Sequence, residues 1–274
     1  MQLTPHVYVS HYDDGHVAHP GGSNNYFVGD PAEGMILIDT GDHNREWTRH
    51  ILAYYADLGR PKITAIAITH GHVDHYGGVD KLYDAMLAPV RVHPKLVKTM
   101  QTLVPKEMVV PLRSREVLRT GGDTALRALF TPGHAVDHVC YHLAAERVLF
   151  TGDTILGSSS ATMGDLFSYM KSLQLLLHYR HDYIGPAHGA VVPPPRGRRL
   201  VQWYIDHRNE REQEVLTSLG KGLTKVEDMV RDIYPKNLKK GLREGAGRNV
   251  RTHLGKLIKD GRVQEAEPTY RLKR

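Results

Sequence analysis

The amino-acid sequence predicts a four-layer αβ/βα sandwich with two central sheets, followed by a small domain of helices and a β-hairpin. Three observations support this fold class. Short β-branched runs alternate with helical stretches in two successive groups within residues 1–195. A stiff proline run, Pro193-Pro194-Pro195, marks a linker. Residues 196–274 then contain three helical patterns and a candidate hairpin, an order that resembles a winged helix.

The first two-thirds of the chain contain the elements of the sandwich. The turn residues Gly29-Asp30-Pro31 separate two short apolar runs and predict a hairpin. Gly59 ends a helical stretch, and a run of Ile and Ala that suits a buried strand follows it. In order, we predict strands at 26–28 and 35–38, a helix at 46–58, strands at 63–68 and 90–92, and a second group of strands at 126–130, 139–143 and 148–150.

The last quarter of the chain contains the elements of the small domain. Apolar residues recur there at helical spacing in three stretches, as Val250, Leu254 and Leu257 do in the last of them. The predicted helices span 200–219, 225–233 and 249–260, and strands at 263–265 and 269–272 would form the wing.

The composition is that of a globular protein without a membrane segment. Hydrophobic residues make up 41% of the chain and charged residues 24%. No run of about 18 apolar residues occurs, and the N-terminus lacks the charged and apolar regions of a signal peptide. The single cysteine, Cys140, excludes an intramolecular disulfide and a thiolate zinc cluster. We therefore expect a cytoplasmic protein.

Charge is distributed unevenly along the chain. Residues 1–195 carry 16 basic and 19 acidic side chains, a net charge of −3. Residues 196–274 carry 20 basic and 11 acidic side chains, a net charge of +9. A basic domain attached to a mildly acidic one indicates a polyanionic partner.

A cluster of metal-ligand residues follows the predicted strand at 63–68 directly. The segment Thr-His-Gly-His-Val-Asp-His-Tyr-Gly-Gly contains His70, His72, Asp74 and His75 within six positions. Imidazole and carboxylate groups are the expected zinc ligands in a site without thiolates. Alternation along the loop points the first two ligands one way and the last two the other. The segment therefore predicts two adjacent ions instead of one tetrahedral ion.

Four motifs together resemble the signature of the metallo-β-lactamase superfamily. The first is His70-x-His72-x-Asp74-His75. The others, in chain order, are Thr131-Pro132-Gly133-His134, Phe150-Thr151-Gly152-Asp153 and Gly185-Pro186-Ala187-His188-Gly189. Each motif is weak alone, but their shared order and spacing are specific. The resemblance implies the sandwich fold predicted above and a metal-dependent hydrolase.

The resemblance also assigns seven ligands to two ions, which we expect to be Zn²⁺, with other divalent metals as alternatives. The first ion would take His70, His72 and His134, the second would take Asp74, His75 and His188, and Asp153 would bridge both. A hydroxide between the ions would be the nucleophile. Asp74 would orient it and carry a proton to the leaving group, which makes Asp74 the expected catalytic residue.

Two further residues are expected to contact the ligands. Asp39, in the segment Leu37-Ile38-Asp39-Thr40-Gly41, matches the superfamily's first motif, whose aspartate orients the site. His138 lies four residues after His134 and is a candidate for the same role, with core packing as the alternative. Most other histidines, His19 among them, lack ligand-like context and are assigned to surface or packing roles.

Longer segments resemble the β-lactamase-like protein 2 group of this superfamily, which has endoribonuclease members. They lie at 131–138, 150–157, 165–173 and 207–213, and the whole resemblance spans about residues 20 to 265. It implies a phosphodiesterase that acts on single-stranded RNA. Gly71 and Tyr76 differ from the residues expected beside the ligands and could reshape the pocket.

Basic residues cluster around the second and third predicted helices of the small domain. Such a surface favours nucleic-acid phosphates through counterion release. The residues assigned to nucleic-acid binding are Lys239, Lys240, Arg248 and Arg251. The alternative is a solubilising surface on a small packing domain. We identify no aromatic stacking platform of the kind that binds single strands.

Three other functions fit parts of the sequence. A hydrolase of small esters, thioesters or lactones, similar to glyoxalase II, would share the ligand motifs, although the tail differs from that enzyme's glutathione-binding helices. An iron-dependent redox protein would share the fold, but the complete two-metal ligand set argues against a mononuclear oxygenase. A nucleic-acid-binding regulator with a vestigial core would not need that ligand set.

Overall fold

The computed structural model describes residues 1–13, 15–16, 19, 21–157, 162–237, 240–266 and 269–272. For residues 240, 266 and 269–272 the description covers the backbone alone.

Seven strands form the first sheet in the order in which they occur in the chain. They are β1 (Gln2–Thr4), β2 (Val7–Tyr12), β3 (Ser23–Asp30), β4 (Gly34–Ile38), β5 (Ile63–Ala67), β6 (Val90–Val92) and β7 (Val109–Pro111). Strands β1 to β4 pair antiparallel, and β4 to β7 pair parallel. The parallel strands are connected by α1 (Arg45–Asp57), α2 (Val73–Tyr76), α3 (Val79–Met86) and α4 (Val97–Met100).

Five strands form the second sheet. They are β8 (Val117–Thr120), β9 (Thr124–Phe130), β10 (Val139–Leu143), β11 (Val148–Gly152) and β12 (Tyr183–Pro186), in the spatial order β12-β11-β10-β9-β8. Strands β8 to β11 pair antiparallel. Strand β12 pairs parallel with β11 after a crossover through α5 (Leu166–Leu177).

The two sheets pack face to face, and helices cover their outer faces. In the inner core, Tyr26 and Ile38 of the first sheet pack with Tyr141 and Phe150 of the second. On the outside, Trp47, Ile51 and Leu82 of α1 and α3 cover the first sheet, and Tyr169, Leu173 and Val201 of α5 and the next helix cover the second. The predicted αβ/βα sandwich is confirmed.

The C-terminal region contains three helices and a hairpin. They are α6 (Arg196–Gly220), α7 (Val226–Ile233), α8 (Lys240–Lys259), β13 (Val263–Ala266) and β14 (Thr269–Leu272). This arrangement confirms the predicted winged helix. The predicted start of the third helix, at residue 249, is wrong by nine residues. Three glycines in the first turns of α8 hide its helical pattern because glycine has a low helix propensity.

Helix α6 contributes to two separate cores. Its first half places Leu200 and Val201 against the second sheet. Its second half places Val215 and Leu219 in the core of the winged helix. One continuous helix therefore connects the small domain to the sandwich. Within the described residues, no helix combines the length and the apolar character needed to cross a membrane.

A buried polar cluster lies where α6 and α8 meet. Glu212 of α6 forms an ion pair with Lys256 of α8, with 2.8 Å between Oε2 and Nζ. Beside this pair, the ring of His253 is fully buried, and neither of its nitrogens has a hydrogen-bond partner in the described part of the chain. Burial, followed by the nearby charge of Arg208, lowers the pKa of His253 to about 3. His253 is therefore neutral in the folded protein at neutral pH.

We expect His253 to make the protein less stable in acid. The unfolded chain binds a proton at this residue near pH 6.5, whereas the folded chain does so only near pH 3. The unfolded state therefore binds more protons between these values, and stability falls as the pH is lowered through that window. Replacing His253 by Leu should remove up to about 1.4 kcal/mol per pH unit of this dependence.

Urea unfolding at pH 7, 6 and 5 measures this effect. His253→Leu should lose little stability at pH 7, because the imidazole has no hydrogen bond to give up. His178→Leu removes an exposed histidine and serves as the control. An unchanged pH dependence in His253→Leu would contradict the assignment.

Candidate metal centre

The predicted ligands converge at one edge of the sandwich, where the strands of both sheets end. His70, His72, Asp74 and His75 follow the end of β5, and Asp153 comes directly after β11. Two further residues complete the set. His134 lies in the connection between β9 and β10, and His188 lies two residues beyond β12. Seven ligand groups therefore lie close together, although the first and last strand ends that carry them are more than 100 residues apart in the chain.

Three imidazole nitrogens meet in the first cluster. His72 Nδ1 lies 2.9 Å from His70 Nε2 and 3.0 Å from His134 Nε2. Asp153 joins this cluster, with its Oδ2 3.4 Å from His134 Nε2. The ligand atoms of these four residues all lie within 4.8 Å of one another. Three nitrogens directed at one another leave their lone pairs unshared unless a cation lies between them.

The second cluster contains one carboxylate and two imidazoles. Asp74 Oδ2 lies 3.2 Å from His188 Nε2 and 3.4 Å from His75 Nε2. The other oxygen of Asp153, Oδ1, lies 3.4 Å from His188 Nε2 and 3.6 Å from His75 Nε2. Asp153 therefore directs one oxygen at each cluster.

The donor set fits divalent cations. Asp153 Oδ1 and His75 Nε2 are buried and have no hydrogen-bond partner among the described residues. Buried polar atoms of this kind are costly unless something binds them. Neutral imidazole and ionised carboxylate are ligand types suited to zinc and related metals. These seven residues therefore form a candidate centre for metal ions.

Electrostatics within the clusters favour the ligand forms of His70 and Asp74. Burial, together with the neighbouring histidines, holds the pKa of His70 well below its usual value, so the imidazole is neutral. Burial alone would raise the pKa of Asp74, but interactions with His188 and His75 outweigh it and hold that pKa well below its usual range. Metal binding requires these unprotonated forms. Burial alone would lower the pKa of His75, but the charges of Asp153 and Asp39 outweigh it and raise that pKa well above its usual value, so His75 must lose a proton to bind a metal.

Asp39 fixes the orientation of the second cluster. Its Oδ2 accepts a hydrogen bond from His75 Nδ1 at 2.8 Å, which leaves Nε2 of that ring directed at the cluster. Its Oδ1 accepts from the backbone N–H of Thr69 at 2.7 Å. Asp39 itself has a φ of 59°, a strained conformation for a residue other than glycine. This contact with a ligand is the role expected for Asp39.

His138 lies beneath the clusters and outside both of them. Its ring is fully buried, and Nε2 accepts a hydrogen bond from the backbone N–H of Asp153 at 3.1 Å. Its Nδ1 pairs with Thr131 Oγ1 at 2.9 Å. Burial lowers the pKa of His138 well below its usual value, so the ring is a neutral acceptor. His138 thus positions the backbone of a predicted ligand.

The structure adds three contacts that the sequence analysis missed. Ser23 Oγ pairs with His188 Nδ1 at 2.9 Å, and the Thr162 carbonyl accepts from His134 Nδ1 at 2.8 Å. His19, assigned above to a surface or packing role, stacks on the His188 ring at 5.0 Å and places Nε2 3.4 Å from Asp74 Oδ2. No motif marks these residues, because each contact joins parts of the chain that are far apart in sequence.

The predicted nucleic-acid residues fall into two groups. Lys239 lies outside the described residues, and Lys240 begins α8 without a described side chain. Arg248 and Arg251 line a groove of about 580 Å³ between α7 and α8, together with Arg243. This groove also contains acidic side chains, so its charge is mixed.

The winged helix adjoins the wall of the metal centre. Lys259 Nζ, at the end of α8, lies 2.9 Å from Asp165 Oδ1, the residue that caps α5. The backbone N–H of Asp165 in turn donates to the Gly133 carbonyl at 2.9 Å, next to His134. The basic domain is therefore connected through two consecutive contacts to Gly133, the residue before a candidate ligand.

Comparison with known proteins identifies the family. The model of the Metallo-beta-lactamase superfamily matches residues 18–188, and that of the Beta-lactamase associated winged helix domain matches residues 226–270. A Beta-lactamase-like protein 2 homolog of Drosophila melanogaster is 36% identical over 260 residues, covering 89% of this chain and 84% of that protein. An atrochrysone carboxyl ACP thioesterase of Cryptosporiopsis sp. is 31% identical over 257 residues, covering 88% and 76%.

Solved structures agree on the fold. A metallo-beta-lactamase family protein from Thermus thermophilus has a TM-score of 0.74 at 22% identity, covering 98% of this chain and 99% of that one. A beta-lactamase domain protein from Burkholderia ambifaria has a TM-score of 0.81 at 17% identity, covering 100% and 93%. From these matches and the geometry above, the chain belongs to the metallo-β-lactamase superfamily and is a metal-dependent hydrolase with a C-terminal winged helix.

Proposed function

We propose that this hydrolase is a cytoplasmic phosphodiesterase that cleaves single-stranded RNA. The observation that carries the proposal is the position of the basic domain. Residues 196–274 carry a net charge of +9, and α8 contacts the wall of the metal centre through Lys259 and Asp165. A basic surface at this place would attract a polyanion and hold it beside the reactive site. Hydrolysis of a small neutral ester would gain nothing from it.

We further propose that the centre holds two zinc ions, one in each cluster, with Asp153 shared between them. The residues that would hold them are His70, His72 and His134 for the first, Asp74, His75 and His188 for the second. Bound cations supply Lewis-acid stabilisation of phosphate oxygens and make hydroxide available at neutral pH.

The chain's own residues prepare the site for this reaction. Asp39 and Ser23 fix the rings of His75 and His188, so the open side of the clusters keeps a constant shape. Asp74 lies on that side with its carboxylate about one-fifth exposed. Because it is ionised, it can accept a hydrogen bond from the attacking water and then pass that proton to the leaving oxygen.

Cleavage of labelled single-stranded RNA by zinc-loaded protein tests the proposal. We expect Asp74→Asn to lower the rate by about 100-fold or more, because the amide cannot accept the proton. Asp57→Asn, which changes an exposed carboxylate at the end of α1, is the control. Elemental analysis confirms two metals per chain before the assay. RNA that stays intact with fully loaded wild-type protein would overturn the proposal.

A second candidate function is hydrolysis of acyl thioesters. Several relatives that are 31–36% identical to this chain carry the name atrochrysone carboxyl ACP thioesterase. The same ionised carboxylate and metal clusters could act on a thioester carbonyl. Release of free thiol from short acyl thioesters, compared between wild type and Asp74→Asn, tests this candidate in parallel with the RNA assay.

A further inference from the structure

The exposed surface of α6 carries an aromatic and basic patch that the reaction described above does not use. We propose that this patch, formed by Arg196, Arg199, Trp203 and His207, binds single-stranded RNA outside the metal centre. The proposal rests on the proposed function, because it gives the enzyme a second contact with the same substrate. We call these four residues the α6 patch.

The spacing of the four residues places them on one face of the helix. Positions three, four and seven apart on an α-helix are neighbours, and the patch residues follow that pattern. Trp203 is 53% exposed, which is unusual for the largest apolar side chain. His207 stacks on one side of it, with ring centroids 5.2 Å apart and an angle of 3° between the planes. The indole is thus held in place while much of its surface is open.

A cavity adjoins the indole. It has a volume of about 470 Å³ and is lined by Pro195, Arg196, Arg199, Leu200 and Trp203. This is within the size range of small-molecule sites and is large enough for a nucleobase. Its apolar floor, formed by Leu200 and the proline, suits the flat face of a base.

The charge of the patch suits a nucleic-acid backbone. Arg196 and Arg199 are exposed, and neither forms an ion pair within the described ranges of the chain. The neighbouring Arg198 differs, because Asp182 binds its guanidinium at 2.7 and 3.0 Å. Two available guanidinium groups beside an open aromatic ring are the combination that single-strand binders use, with stacking for bases and cations for phosphates. Duplex RNA hides its base faces and could use only the cations.

Tryptophan fluorescence tests the proposal directly. The chain contains two tryptophans, and the other, Trp47, is only 1% exposed. Full-length Asp74→Asn protein, which should cut its ligand at least about 100-fold more slowly than the wild type, is titrated with a ten-nucleotide oligoadenylate. A base stacked on Trp203 should quench its emission in a saturable way. In the same background, Trp203→Leu should bind a labelled oligonucleotide about tenfold more weakly.

Charge variants separate phosphate binding from stacking. The double variant Arg196→Gln/Arg199→Gln should bind the labelled oligonucleotide more weakly. The slope of the logarithm of its binding constant against the logarithm of salt concentration should also be smaller by about 1.4, because each lost phosphate contact with a single strand accounts for about 0.7. Arg198→Gln removes one charge from the same helix, at a guanidinium that Asp182 already binds, and is the control, with binding expected at the level of the parent protein.

Three results would overturn the α6 patch. One is binding of labelled RNA without any quenching of Trp203, which would place the RNA elsewhere. A second is equal quenching by duplex RNA. A third is quenching that follows protein concentration instead of RNA, which would indicate a contact between two copies of the chain. The two proposals can also fail separately. Saturable quenching in Asp74→Asn, with no RNA cleavage by the wild type, would support RNA binding at the α6 patch and contradict the proposed reaction. Cleavage by the wild type, with no quenching in Asp74→Asn, would support the reaction and contradict binding at the patch.

Discussion

Replacing Asp153 by Asn should remove at least one of the two proposed metal ions and lower hydrolysis by about 1000-fold, on the scale of losing a central electrostatic group in other enzymes. Asp153 directs Oδ1 at His188 and Oδ2 at His134, so it serves both clusters. Asparagine keeps one oxygen and replaces the other by an NH₂ group, which is a donor and cannot bind a cation. One cluster therefore loses its shared carboxylate oxygen whichever way the amide turns.

The loss of metal can be measured without any substrate. The protein is equilibrated with zinc, free metal is removed, and elemental analysis gives the number of ions bound per chain. We expect two ions per chain in the wild type and at most one in Asp153→Asn. Asp165→Asn, a carboxylate change nearby, should leave the metal content at the wild-type level. Circular dichroism checks that both variants are folded. Two ions retained in Asp153→Asn would show that the aspartate is not shared.

Replacing Gly133 by Ala should destabilise the protein by about 3–5 kcal/mol, the sum of overpacking and backbone strain. An added Cβ would lie 2.4 Å from the Cα and 2.6 Å from the backbone nitrogen of Tyr169. These are backbone atoms of α5, so the helix itself would have to move. Gly133 also has a φ of +145°, which other residues rarely adopt. His134 follows directly, so a shift here would also displace a candidate ligand.

Urea unfolding of metal-free protein measures this change without a contribution from bound ions. Gly255→Ala is the matched control. Gly255 is exposed, four residues before the end of α8, and an added Cβ there meets nothing within 4 Å. The control should stabilise the protein by up to about 1 kcal/mol, because alanine has the higher helix propensity. A Gly133→Ala protein as stable as the wild type would contradict the close approach of α5.

Much of the fold followed from local signals in the sequence. Alternating strands and helices predicted the sandwich, and the helix predicted over 200–219 is observed as α6, which begins four residues earlier at Arg196. The first turns of α8 were missed because Gly241, Gly245 and Gly247 weaken its helical pattern. Local residue patterns and turn residues indicate where a helix or strand lies, but not which other elements it packs against. The contribution of α6 to two cores could therefore not be predicted.

By itself, the sequence determined which residues form the candidate metal centre. The ligands and Asp39 occur in short motifs at strand ends, and the ends of strands in a packed sandwich meet at a common edge. Only the tertiary structure decided what surrounds them, since it places His19 and Ser23 against the ring of His188. It also decided that Trp203, outside the metal centre, stays open beside two arginines. The physical reason is that these properties depend on which distant segments come into contact and which side chains remain uncovered. Neither leaves a pattern in the local spacing of residues.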